Sequence, residues 1–97
     1  MTKLRFEWDE CKNRSNKHEH RVSFEEARTV FSDENAVEYH DLDHSDQEDR
    51  FIMLGISSKS RALVVCYCYR EDETVIRIIS ARKARQEEET EYGRYIK

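Results

Sequence analysis

"RALVVCYCYREDETVIRIIS", Arg61 to Ser80, is the stretch whose reading decides the fold. Two runs of β-branched, aliphatic and aromatic residues flank three consecutive acids, the pattern of two strands joined by a short turn. In the first run alternation puts Leu63, Val65, Tyr67 and Tyr69 on one face, and Ala62, Val64, Cys66, Cys68 and Arg70 on the other. In the second, Ile76 and Ile78 point one way while Val75, Arg77 and Ile79 point the other. Arg77 is a permanent cation among β-branched neighbours, and partial desolvation there strengthens its pull on an anion. In a hairpin of these strands Arg70 and Arg77 lie toward one end, Arg61 and Arg82 toward the other. A row of guanidiniums on a sheet face could hold several phosphates, or one phosphate and its transition state. The plainer alternative is that each arginine pairs with a carboxylate, and the chain has 21 acids to offer.

Working outward, FIMLGISS supplies a third strand, joined to the Arg61–Arg70 strand by the turn SSKS, and AVEYHD supplies a fourth. The acidic run DLDHSDQED between them reads as a loop, because it has nothing apolar to bury. Toward the N-terminus, LRFEW suits a short strand and Asp9 suits the N-cap of a surface helix through His20. Ser23 with Glu26 three residues on is a capping box, and Val22 is placed to act as its staple. Phe24, Ala27, Val30 and Phe31 then recur at helical spacing, so this second helix faces the core and ends near Asp33–Asn35. ARKARQEEETEYGRYI reads as a charged C-terminal helix with i,i+4 pairs. The order is β-α-α-β-β-β-β-α, which predicts an α+β domain over residues 1–97: an antiparallel sheet with helices on one side.

Composition narrows the function. Charged residues make up 39% of the chain and hydrophobic ones 37%, so the core is small. Residues 61–85 carry six Lys/Arg against three Asp/Glu, whereas residues 1–60 carry nine against fourteen. A basic strip on an acidic body suits a compact phosphate-handling site and does not suit a broad duplex-binding surface. Cys11, Cys66 and Cys68 form no CxxC pair, His18 and His20 fall on different helix faces, and His44 sits in the acidic loop. No metal site is expected. The opening MTKLRFEWDE lacks the apolar run of a signal peptide, and no apolar stretch approaches membrane length, so a cytoplasmic protein with reduced thiols is expected.

Several short motifs, taken in order, add a resemblance. They are FEWDECKNRSN, His20-Arg21-Val22-Ser23-Phe24-Glu25-Glu26-Ala27, Val30-Phe31, Asp43-His44-Ser45, Glu48-x-Arg50 and Arg77-Ile78-Ile79-Ser80-Ala81-Arg82. Together they resemble the BrnT family, ribonuclease toxins of the BrnT/BrnA type II toxin–antitoxin systems, from about Phe6 to Tyr92. The resemblance implies a RelE-like fold and an enzyme that cleaves RNA and arrests translation. It also implies a BrnA-like antitoxin, in a complex with two copies of each protein, with DNA contacted only through the antitoxin. The family's Lys-His-Gly-Val-Ser-Phe falls on Glu19 to Phe24, so His20 is matched while Glu19 and Arg21 replace Lys and Gly. Arg61, Arg77 and Arg82 match family arginines, and Trp8, Asp9, Lys12, Asn13 and Asn16 match the opening motif as scaffold.

Together, these readings make His20, Arg61, Arg77 and Arg82 the candidate catalytic residues, with Arg70, Lys83 and Arg85 as RNA contacts. An imidazole exchanges protons near neutral pH, and the arginines can neutralise a phosphorane. No cofactor is expected, since a ribose 2′-OH is an internal nucleophile.

Overall fold

The computed structural model describes residues 4–44 and 48–95. Its strands are β1 (Arg5–Glu7), β2 (Val37–His40), β3 (Arg50–Ile56), β4 (Ala62–Arg70) and β5 (Val75–Lys83). Its helices are α1 (Glu10–His20), α2 (Phe24–Thr29) and α3 (Gln86–Tyr95). The expected element order holds. The expected acidic loop is described only in part, as a single 3-10 turn at Leu42–His44, because residues 45–47 lie outside the described residues.

Local chemistry sets the helix starts. The Asp9 carboxylate accepts from the Lys12 N–H at 3.1 Å, and Ser23 Oγ accepts from the Glu26 N–H at 3.0 Å. The other half of the capping box is absent: the Glu26 carboxylate turns inward to Ser57 and Arg61. α1 ends at Arg21, whose φ of 60° and ψ of 28° are left-handed. That conformation favours glycine and strains other residues.

The sheet runs β1-β5-β4-β3-β2. It is antiparallel except at one edge, where β1 pairs with β5 in parallel, so the all-antiparallel expectation is corrected there. α1 and α2 cover one face, burying Val22, Phe24, Ala27 and Val30 against Leu63, Val65, Tyr67, Ile76 and Ile78. α3 does not join them. Its Tyr92 buries against Leu54 and Val64 on the opposite face, so the expectation of helices on one side holds only for the first two. α3 also starts later than expected, because Ala81–Lys83 extend β5: Ala81 pairs with Val65 and Arg82 with Val64.

A bulge in β5 decides which arginines share a face. Cys66 pairs with Ser80 and Tyr67 with Ile78, leaving Ile79 as the extra residue. Strict alternation would put Arg77 and Arg82 on opposite faces, whereas the bulge returns both to the α3 face. Their cross-strand partners Cys68 and Val64 lie on that face too.

Gly55 marks the closest approach of β3 to the segment that follows α2. A Cβ built there would stand 2.9 Å from Ala36 Cβ and from Val30 Cγ1. Gly55→Ala is therefore expected to destabilise the fold by about 1–3 kcal/mol, as overpacked cores do. Urea unfolding measures this, and a midpoint unchanged from the parent's would show that this contact can relax.

Candidate active site

β1 accompanies β5 only through Val75–Arg77. Farther along that edge, α1 takes the place of a strand. Asn16 is buried; its carboxamide donates to the Ala81 carbonyl at 2.8 Å and accepts from the Ala81 N–H at 3.1 Å, as a neighbouring strand would. The same amide donates to the Val22 carbonyl at 2.8 Å. Asn13, also buried, accepts from the Phe24 N–H at 2.8 Å and donates to Glu10 and Glu25, each at 3.0 Å. The two asparagines seat α1 on the β5 edge and α2 on α1. His20, in the last turn of α1, is thereby carried to the rim of the opposite face.

At that rim, His20, Asp41, Arg50, Ile52, Val64, Cys66, Ile79, Ser80, Ala81 and Arg82 line a half-open cavity of about 280 Å³. Its floor is β3, β4 and β5, and α3 covers the sheet beside it. Arg82 is clamped end-on by Glu88 of α3, with both hydrogen bonds at 2.8 Å. Those bonds hold the Glu88 carboxyl down to about 2 and raise the Arg82 guanidinium. Asp41 is buried, and its N–H donates to the Arg50 carbonyl at 2.8 Å. Burial pushes the Cys66 thiol up, and nearby Asp41 adds to this, so Cys66 lines the cavity as a neutral thiol.

Of the residues expected from sequence, the cavity unites His20 and Arg82. Arg77 lies on the same sheet face, outside the cavity, and donates to Glu7 at 2.9 Å. Arg61 is on the helical side. It forms a two-point pair with Glu26, whose side chain is only 2% exposed, and donates to the Arg21 carbonyl at 2.9 Å. Burial raises the Glu26 carboxyl, but the hydrogen bonds from Arg61 and Ser57 outweigh it and leave the group below its usual range. Arg70 reaches Glu48 at 3.2 Å and lines a separate hollow with Asp49, Glu71, Asp72 and Glu73. Lys83 and Arg85 are exposed beside Arg82. Sequence reasoning gave Asp41 and Arg50 no role of their own, and no local signal separates Asp41 from the solvated acids that follow it.

The clamp has a pH signature. Glu88 is held below its ordinary 4.5, so its contribution to stability is full above that pH and fades as pH falls toward 2. Replacing Glu88 by Gln is expected to cost about 1–3 kcal/mol at pH 7. The gap from the parent should close in unfolding curves taken between pH 4.5 and 2. A gap that does not change with pH would mean the ion pair contributes nothing.

The family model described as "Ribonuclease toxin, BrnT, of type II toxin-antitoxin system" matches residues 8–88. Among curated proteins, none matches. Among solved structures, the crystal structure of the Brucella abortus ribonuclease toxin BrnT superposes with a TM-score of 0.65. That match has 20% sequence identity and covers 86% of this chain and 99% of the other. It shows a shared fold, and the family model extends over most of the chain, cavity and clamp included. The chain belongs to the BrnT family of ribonuclease toxins of type II toxin–antitoxin systems.

Proposed function

We propose that this protein is a metal-independent endoribonuclease that acts in the cytoplasm, arrests translation, and is neutralised by a BrnA-like antitoxin. The observation that carries the reading is the cavity that joins an imidazole, a carboxylate and two guanidiniums: His20, Asp41, Arg50 and Arg82. In the reaction, the ribose 2′-oxygen attacks the adjacent phosphorus and loses its proton to a base. The P–O5′ bond breaks, the 5′-oxygen takes a proton from an acid, and a 2′,3′-cyclic phosphate remains. The nucleophile is part of the substrate, so the step needs no metal-bound water. His20 and Asp41 are the two groups in the cavity able to carry those protons. Arg82 and Arg50 neutralise the charge that grows on the phosphorane.

The remaining arginines take lesser parts in this reading. Arg77 and Arg85 contact flanking phosphates, Arg70 stands at the far end of the face that carries Arg77, and Lys83 adds a contact from the other face at the end of β5. Arg61 acts as a positioning residue, holding the turn that follows His20. Type II toxins are matched by an antitoxin protein, and for this one we propose two copies of each chain, with dimerisation and DNA binding supplied by the antitoxin. A second reading, partner or RNA binding without cleavage, draws support from one observation. Arg61, Arg70, Arg77 and Arg82 each already face a carboxylate.

Incubating purified protein with RNA and resolving the products on a gel separates the two readings. The parent is expected to leave fragments ending in cyclic phosphate. His20→Ala and Asp41→Asn should each slow cleavage by about 10²–10⁴-fold, and Arg82→Ala by about 10²-fold or more. Cleavage at the parent's rate by all three variants would place the chemistry elsewhere, and intact RNA with the parent would favour the binding-only reading. Arg61→Ala should instead unfold early, by about 3–5 kcal/mol, because it strands a buried carboxylate.

A further inference from the structure

α1 carries a second cationic feature that the cavity does not use. Arg14, Lys17, His18 and Arg21 line one hollow of about 490 Å³. They fall at i, i+3, i+4 and i+7, so they form a single stripe on the helix and the turn that ends it. All four side chains are exposed. Among the described residues, the arginines around the sheet are paired with carboxylates, whereas no ion pair involves Arg14, Lys17 or Arg21. The one side-chain hydrogen bond of Arg14 among the described residues goes to the Cys11 sulfur, at 3.5 Å. The nearby Glu25 carboxylate is engaged by Asn13 at 3.0 Å, and Glu19 is the one acid between Lys17 and Arg21 in the sequence.

A cluster of basic side chains with no ion pair of its own, though Lys17 helps hold the nearby Glu25 carboxyl down, is a local anion trap on a body of net charge −4. Its position says which anion. The stripe ends at Arg21, the residue directly after His20 at the cavity rim, which puts it within reach of a strand that leaves the cavity there. One helical turn rises about 5.4 Å, a spacing on the scale of successive phosphates in a single strand. Arg21 holds a left-handed conformation that glycine would adopt without strain, so the hollow keeps this cation at some conformational cost.

We infer that Arg14, Lys17, His18 and Arg21 form a phosphate-tracking subsite for single-stranded RNA. It binds the backbone beyond the scissile bond without reading bases. The inference rests on the ribonuclease reading for its ligand, and it adds a prediction that reading does not make: dependence on substrate length.

The test compares the parent with a triple variant, Arg14→Gln, Lys17→Gln and Arg21→Gln, using fluorescence anisotropy of a labelled, uncleavable 2′-O-methyl RNA 12-mer. The variant should bind at least tenfold more weakly. The slope of log Kd against log salt should fall by about 2, since each released phosphate contact on a single strand contributes about 0.7. On cleavable RNA, KM should rise for a 12-mer while kcat holds, and a dinucleotide should be cut as the parent cuts it. A charge-keeping triple, Arg14→Lys, Lys17→Arg and Arg21→Lys, should bind like the parent. Unchanged Kd and slope would overturn the inference, as would an equal loss on the dinucleotide or an equal loss in the charge-keeping variant. RNA binding left intact while antitoxin affinity falls would also overturn it, by making the hollow a protein interface. If the parent cleaves no RNA yet binds the 12-mer through these residues, the ribonuclease reading fails and the subsite stands.

Discussion

The carboxamide of Asn16 is the contact on which the arrangement of the site depends. A sheet edge must be paired, covered or blunted, since its N–H and C=O groups otherwise lack partners. β1 is three residues long and leaves the far half of β5 without a strand neighbour on that edge. Asn16 completes the ladder at Ala81 with both halves of its amide and spends its second N–H on Val22. One side chain thus joins α1, the turn after it and β5. Because the three are joined there, the end of α1 stands beside Ser80 and Arg82, and a histidine on a polar surface helix comes to border a cavity on the other face of the sheet.

Electrostatics in this molecule is mostly local neutralisation. Glu26 meets Arg61, Glu7 meets Arg77, Glu48 meets Arg70 and Glu88 meets Arg82. The first of these is buried on its acidic side and ties the β3–β4 turn to α2. The more exposed pairs, at Arg77 and Arg70, contribute little to stability. For the proposed chemistry they matter more, because a phosphate entering there would have to share or displace the carboxylate. At Arg82 the bond to Glu88 uses both terminal nitrogens, so the guanidinium is oriented before any substrate arrives, and its charge is partly spent. Orientation lowers the entropy lost on binding, while neutralisation lowers the attraction. The site therefore holds Arg82 in a fixed pose with its charge partly neutralised.

What the sequence made legible was what short stretches decide alone. The N-caps at Asp9 and Ser23, the strand pair around the three acids and the core face of Leu63, Val65, Ile76 and Ile78 depend on near neighbours, and all are present. What stayed hidden depends on distant partners. The bulge at Ile79 is a register event between two strands, and no residue type announces it, yet it puts Arg77 and Arg82 on one face. Arg61 read as a phosphate ligand because an arginine's spacing says nothing about whether a carboxylate such as Glu26 waits across the fold. Asp41 sits at the head of an acidic loop, and only the return of β3 beneath it makes it a buried cavity residue. α3 read only as a charged helix; Tyr92, with its hydroxyl donating to Asp33 at 2.5 Å, and Glu88, clamped to Arg82, carry it onto the sheet.

Arg61 shows how a residue can matter to the site without touching it. Its guanidinium spans Glu26 of α2 and the carbonyl of Arg21, the residue that ends α1 in a left-handed turn. That carbonyl belongs to the residue directly after His20. Asn16 fixes the same turn from below through Val22, so the chain around His20 is held on both sides by side chains reaching in from elsewhere. A strained turn persists only when its surroundings over-determine it, and these two anchors supply that. The exposed imidazole at the end of a weakly apolar helix consequently has a backbone that cannot fray, as the last turn of such a helix otherwise would, and the geometry of the cavity is set by groups that lie outside it.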